Sequence, residues 1–292
     1  MPAKPRLCFL INPKSGTDRR QDVPALIARH LDHAAVDHEI RFTQHAGHAE
    51  ALARQAAAEG FRTVVAVGGD GTVNEVGRGL LGTATALGIL PRGSGNGLAR
   101  HLQIPLSLPA AVQRVCRPTF QRIDVGHING HAFFCTAGLG FDAHVSRHFA
   151  QAGTRGLSTY VKVALREYRH YRPTAVMVTL NGQTLQTDCY VLAFANAAQY
   201  GNNAYIAPLA DIRDGLLDVC LIDALPFGRA VRVGLGLALG NLPASGAAIF
   251  HTSNHIHVQT AAPLGFHIDG DYVGEAHDFE VALTPLALEV AT

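Results

Sequence analysis

The sequence predicts an α/β domain followed by a mainly antiparallel β domain, and three observations carry that expectation. From Leu7 to about Arg122, short β-rich runs alternate with helical patterns, the signature of a parallel sheet covered by helices. Beyond Asp124, strand-like runs follow one another with only two helical stretches among them. The chain of 292 residues is about twice a typical domain of ~150. The change of pattern sets the boundary near Asp124, giving domains at 1–123 and 124–292.

In the first domain the strands are expected at residues 7–11, 38–43, 63–67 and 86–90. Helices are expected at 23–31, entered through Asp22 as N-cap with Pro24 in the first turn, and at 48–59, ended by Gly60. In the second domain the predicted strands are 132–136, 175–180, 190–195, 217–222, 255–259 and 279–283. Helical patterns cover roughly 142–170 and 226–237.

Hydrophobic residues make up 48% of the chain and charged residues 16%, which suits a globular protein and excludes a disordered one. A net charge of +1, with no Lys/Arg run interleaved with aromatics, argues against nucleic acid as a partner. The cysteines Cys8, Cys116, Cys135, Cys189 and Cys220 are odd in number, dispersed and set in apolar surroundings, so they read as reduced core residues. No apolar leader pattern follows Met1, and the most apolar segment, 233–242, is about half the ~20 residues that span a bilayer. The expectation is a cytoplasmic protein without a transmembrane segment.

The most informative segment is Val67-Gly68-Gly69-Asp70-Gly71-Thr72-Val73-Asn74-Glu75, which leaves a buried strand and opens a helix. Its glycines leave backbone N–H groups open to phosphate oxygens beside a helix N-terminus that favours negative charge. Asp70 repels phosphate, so its useful roles are to orient Mg2+ through water or to fix the loop by accepting N–H bonds. Thr72 and Glu75 also have the spacing of a capping box, expected under either reading. A second loop, Pro91-Arg92-Gly93-Ser94-Gly95-Asn96-Gly97, repeats the arrangement and runs into a helix at 98–102. A third, Asn12-Pro13-Lys14-Ser15-Gly16, offers an ammonium and a hydroxyl after the first strand. Ligand sites lie at such carboxyl strand ends. There is no G-x-x-x-x-G-K-[ST] loop, and the nearest dinucleotide fingerprint, at 138–143, lacks its βαβ unit.

Asp211, Asp214 and Asp218 follow one another at spacings of three and four, with Pro208 and Gly215 arguing for a loop. Hard oxygen donors of this kind suit Mg2+ or Ca2+, and an acidic turn without an ion is the alternative. His255 and His257 share a face of a predicted strand, but without cysteine partners they are expected to be surface residues. Asp124 and Asp142, at the ends of strand-like runs, either orient a cleft or cap turns. Residues 226–242 carry Phe227, Arg229 and Arg232 beside an apolar run, and the expected reading is a buried core helix rather than one resting on a bilayer.

Together with Asp269-Gly270-Asp271, these motifs resemble, in order and over nearly the whole chain, the diacylglycerol kinase catalytic domain family, which includes bacterial lipid kinases and the sphingosine and ceramide kinases. The resemblance implies a Rossmann-like, NAD-kinase-like α/β domain followed by a β-sandwich-like lipid domain, with the last strand returning to the first domain. It implies a lipid kinase that takes ATP in a cleft between the domains and a lipid presented at the inner membrane surface, with an apolar slot for the lipid in the second domain. By similarity Asn12, Thr43, Gly68, Gly69, Asp70, Gly71, Thr72, Asn74 and Ser94 touch ATP, with Lys14, Glu75, Gly93 and Gly95 in the same loops. Asp211, Asp214 and the Leu216 carbonyl would hold Mg2+, and Asp271 would be the general base, with Asp70 at the catalytic centre. The family usually has Asp-Gly-Glu where this chain has Asp269-Gly270-Asp271, so the carboxylate is one methylene shorter and Asp269 competes for the role. The acceptor expected is diacylglycerol or a sphingoid lipid. The alternatives are an NAD-kinase-like enzyme and a non-catalytic nucleotide- or lipid-binding protein. The sequence leaves the oligomeric state open, a homodimer included.

Overall fold

Two continuous apolar runs, Thr63–Gly68 and Ala86–Pro91, are buried at every position, as strands must be when helices cover both faces of a parallel sheet. The computed structural model of the chain describes residues 4–16, 22–152 and 156–292. It divides into two compact units, 1–123 with 286–292, and 124–285.

The first unit alternates β1 (Arg6–Ile11), α1 (Val23–His30), β2 (Asp37–Phe42), α2 (His48–Ala58), β3 (Thr63–Gly68), α3 (Asp70–Leu80), β4 (Ala86–Pro91), α4 (Gly97–His101) and α5 (Leu108–Cys116). The strands pair in parallel in the order β2-β1-β3-β4. Central β1 sets Phe9 between Ile40 and Val65. The edge strand β2 is only half-buried, as befits its single neighbour. Asp22 caps α1 by accepting from the Ala25 amide at 3.0 Å, and Gly60 ends α2 in the left-handed region at φ +79°. Phe9, Val65, Val67 and Leu90 from the strands pack with Ile27 of α1 and Val112 of α5 in one core.

The chain then continues as β5 (Phe120–Ile128), β6 (His131–Phe133), β7 (Thr136–Gly140), α6 (Phe141–Gln151), α7 (Leu157–Tyr168), β8 (Thr174–Leu180), β9 (Gln183–Cys189), β10 (Val191–Ala195), β11 (Leu217–Ile222), α8 (Phe227–Leu239), β12 (Ile249–Ser253), β13 (His255–Ile268) and β14 (Asp271–Ala291). In the second unit the strands are antiparallel in the order β12-β11-β10-β7-β13-β14. The long β13 serves two partners: its first part pairs with β8 and its last residues with β7. A shift of register between Gln259 and Leu264 separates the two stretches. The last residues of β14 belong to the first unit, where Val290 pairs in parallel with Leu87 of β4.

Several elements differ from the sequence reading. The strand expected at 132–136 is two strands, because the amides of Phe134, Cys135 and Thr136 are turned to the Asp269 carboxylate instead of into a ladder. The strand at 279–283 is the middle of the 21-residue β14. The helical stretch at 142–170 is the pair α6 and α7, with 153–155 outside the described residues. β5, β9, β12 and α5 were not among the expected elements: β9 is mostly exposed and polar, whereas α5 has buried residues at Leu108, Ala111, Val112, Val115 and Cys116, a helical spacing that the sequence reading passed over. All five cysteines are buried and free of disulfides.

Candidate functional site

In the first unit the three loops after β1, β3 and β4 hold one another. The Asp70 carboxylate accepts two backbone amides of the third of these loops, Asn96 N at 2.9 Å and Gly97 N at 2.7 Å. Asn12 Nδ2 donates to Thr72 Oγ1 at 3.1 Å, and Asn12 N to the Val67 carbonyl at 3.1 Å. Arg92 N donates to the Gly68 carbonyl at 2.7 Å. The glycines allow this proximity: a Cβ on Gly93 would stand 2.6 Å from Gly69 Cα and 2.9 Å from Asn96 Oδ1. A Cβ on Gly68 would strike Thr72 at 2.5 Å.

At the centre of these loops is the start of α3. Its N-cap is Gly69, and no side chain caps it. First-turn N–H groups of a helix have no partner within it, and the helix dipole adds partial positive charge at that end. Such an end is suited to an anion. Thr72 and Asn74 are buried behind it, and buried Thr43 ties the end of β2 to β1 through its amide to Ile11 at 2.9 Å. Lys14 and Ser94 are exposed on the flanking loops, where the Lys14 amide donates to Asn12 Oδ1 and the Gly95 carbonyl accepts from Arg100 Nε.

Two readings of these loops change. Thr72 and Glu75 do not form a capping box: Thr72 lies within α3 and bonds Asn12, while Glu75 accepts from the Gly47 and Ala49 amides at 2.8 and 3.1 Å, across the start of α2. The loop at 91–97 is not a second copy of the first. Its Gly93, Asn96 and Gly97 amides are turned inward to Asn96 Oδ1 and Asp70, so it braces the cradle.

In the second unit the Asp269-Gly270-Asp271 turn joins β13 to β14. Asp269, at φ +45°, receives three amides, from Phe134, Cys135 and Thr136, at 2.8 to 3.1 Å. Asp271 opens β14 opposite Ile268 and is exposed. The 211–216 segment is an acidic turn: Asp211 Oδ1 accepts from Arg213 N at 3.0 Å and Asp214 Oδ1 from Leu216 N at 2.9 Å. Fully buried Asp124 binds the turn from behind, receiving Gly215 N at 2.8 Å and donating its own amide to the Ile212 carbonyl. Burial, and then repulsion from Asp214, pushes the Asp218 carboxyl up to about 6. Two carboxylates and the Leu216 carbonyl are hard oxygen donors of the kind that suit Mg2+.

The remaining candidates are structural. His255 and His257 pair across the strands with Glu280 and Asp278. Asp142 lies in the first turn of α6, where it accepts from the buried Tyr200 hydroxyl and pairs with His267 at 3.1 Å. One cluster escaped the sequence reading: Glu167 of α7 accepts from His144 Nε2 at 3.0 Å and lies 3.9 Å from His148 Nε2, both on α6. The hydrogen bonds from His144 and Arg166 hold the Glu167 carboxyl down at about 2. The four-residue spacing of the two histidines was its only signal in the sequence.

Residues 6–128 match the diacylglycerol kinase catalytic domain, and 135–292 match the YegS C-terminal NAD kinase beta sandwich-like domain. The chain is 30% identical to a probable lipid kinase YegS-like of Pseudomonas aeruginosa, over 92% of this chain and 89% of that protein. It is 26% identical to a diacylglycerol kinase of Bacillus subtilis, over 92% and 90%. A crystal structure of a putative diacylglycerol kinase from Bacillus anthracis superposes with a TM-score of 0.81 at 21% identity, covering 98% of this chain and 94% of that one. With an α/β unit whose loops surround an uncapped helix start, and with the C-terminal domain matched over residues 135–292, the chain belongs to the family of YegS-like lipid kinases and diacylglycerol kinases.

Proposed function

We propose that the chain is an ATP- and Mg2+-dependent lipid kinase that phosphorylates the hydroxyl of diacylglycerol or of a sphingoid or related lipid. The observation that carries this reading is the bracing of the α3 start by Asp70, Asn12 and Gly93, which presents an anion-binding helix end within three glycine-rich loops. In this reading ATP phosphates lie at Gly68–Thr72, with Asn12, Lys14, Thr43, Asn74 and Ser94 around the nucleotide. Asp70 acts by fixing the loops, and Glu75 by holding α2 against α3.

The γ-phosphorus bond to the ADP oxygen breaks as a bond to the lipid oxygen forms, and the hydroxyl proton leaves late. Asp271 is the proposed acceptor of that proton: it is exposed at the start of β14, whereas both oxygens of Asp269 are engaged by amides. Asp211, Asp214 and the Leu216 carbonyl would hold Mg2+, a cation whose charge favours phosphoryl transfer.

The test is transfer of labelled phosphate from ATP and Mg2+ to micelles of diacylglycerol, sphingosine, ceramide or phosphatidylglycerol, with NAD as a parallel acceptor. Label in one lipid, lost in Asp70→Ala, supports the reading and names the substrate. Label in NAD alone, or ATP binding without transfer to any acceptor, overturns it.

A further inference from the structure

The expectation of a core helix at 226–242 fails on one side of α8. Its Phe227, Val231, Leu235 and Leu239 are 77%, 47%, 57% and 70% exposed. They recur every fourth residue, so they form one stripe along the helix, about 18 Å long over twelve steps. The opposite side is anchored: Val233 and Gly236 are buried, and a Cβ on Gly236 would stand 2.9 Å from Leu242 Cα. By contrast, a Cβ on Gly228 or Gly234 would meet nothing within 4 Å. The helix is fastened by one face and leaves the other uncovered.

Its polar residues are as one-sided as its apolar ones. Phe227–Leu239 contains no acidic residue, and its two charges are Arg229 and Arg232. Arg229 is taken up by Asp223 and the Ala247 carbonyl, which fixes the start of the helix to the preceding loop. Arg232 is exposed at the edge of the stripe, just beyond Leu239 in the helical projection. An apolar stripe edged by arginine is complementary to the boundary between acyl chains and anionic headgroups, where a guanidinium reaches phosphate while its stem lies on hydrocarbon. A protein partner to the same stripe would need a matching apolar face with acidic groups.

We propose that the exposed face of α8 is a bilayer-docking surface that inserts Phe227, Val231, Leu235 and Leu239 shallowly into the headgroup region of a membrane containing anionic phospholipid. The choice of a bilayer as partner rests on the lipid-kinase reading; the stripe itself does not. Docking brings the second unit to the surface on which a lipid acceptor resides, and no helix among the described residues is long and apolar enough to cross a membrane.

The experiment is co-sedimentation of the full chain with vesicles of phosphatidylcholine alone and of phosphatidylcholine with phosphatidylglycerol. The wild-type chain is expected to partition onto the mixed vesicles, and Leu235→Glu/Leu239→Glu to partition about tenfold less or worse, since two apolar contacts become charges. Both changes are on exposed positions, so the thermal midpoint and ATP binding should match the parent. Arg232→Glu should bind the mixed vesicles less and the neutral ones equally. Wild-type protein that fails to bind either vesicle, or a double variant that binds like the parent, overturns the proposal. So does a wild-type dimer that the double variant dissociates with vesicle binding intact. Phosphoryl transfer is read separately on detergent-dispersed lipid: its absence, with vesicle binding still lost in the variant, leaves the docking surface standing and removes the kinase reading.

Discussion

In the first unit the candidate residues are held by partners far away in sequence: Asp70 by Asn96 and Gly97, Asn12 by Thr72, and Glu75 by Gly47 and Ala49. In the second unit the acidic turn is held largely by itself, since Asp211 and Asp214 each accept an amide two residues on. Buried Asp124 clamps that turn from far away in sequence, receiving the Gly215 amide and donating its own to the Ile212 carbonyl. Phosphate binding by backbone amides requires a shape fixed before the ligand arrives, because each amide must point at an oxygen. A hard cation requires only that oxygens be close enough to gather, so a locally bonded turn suffices. The substitutions below test that division, from the largest expected effect to the smallest.

The largest is on the proton acceptor. Asp271→Ala is expected to lower turnover at least about a hundredfold with ATP affinity little changed. Asp269→Asn should act differently: it keeps one oxygen for the Phe134, Cys135 and Thr136 amides but removes the charge that orders them, so it should lower the thermal midpoint as well as activity. Should Asp269→Asn abolish turnover at parental stability while Asp271→Ala stays active, the roles of the two residues are exchanged.

Next comes the long-range bracing. Asp70→Ala leaves the Asn96 and Gly97 amides without their acceptor, at a cost of about 1–3 kcal/mol for each part-buried group. A lower unfolding midpoint should therefore accompany an ATP affinity reduced about tenfold or more. Parental nucleotide affinity by calorimetry would show that the loops keep their shape without Asp70.

The acidic turn should respond in charge and not in shape. Asp214→Asn retains an oxygen for the Leu216 amide, so stability should change by about 0.5 kcal/mol or less, while the Mg2+ needed for half-maximal turnover rises about tenfold. An unchanged Mg2+ requirement would separate the turn from the metal.

What could be read from the sequence follows the same division. Buried parallel strands announce themselves as continuous apolar runs, so β1, β3 and β4 were legible, as were the glycines that follow them. Which residue each loop grips was not, because Asp70 to Gly97 and Glu75 to Gly47 are contacts of tertiary structure without a periodic trace. Thr72 and Glu75 had the spacing of a cap and a different use. The exposed polar β9 and the split at 134–135 escaped for the same reason: the first packs little apolar surface, and the second is set by Asp269, more than a hundred residues away. For α8 the apolar composition was plain, but composition does not say which face is covered.

A smaller effect sharpens the comparison further. Five histidine–carboxylate pairs lie in the second unit, at His144–Glu167, His148–Glu167, His255–Glu280, His257–Asp278 and His267–Asp142. Cohesion there should thus depend on pH more than it does around Asp70. Glu167 provides the cleanest case, because its carboxyl is held at about 2 by His144 and Arg166. A depressed carboxyl contributes stability that is present above its unfolded value, near 4.5, and is lost as the pH falls through about 2. Glu167→Gln should therefore be less stable than the parent by about 0.5–1 kcal/mol at pH 6. The gap should narrow between pH 4.5 and 2 and close below that, where the parent carboxyl is also neutral. Urea unfolding of both proteins across that range reads it directly. A gap that stays constant with pH would mean that Glu167 joins α6 to α7 by packing, and that the charge of the cluster does nothing for the fold.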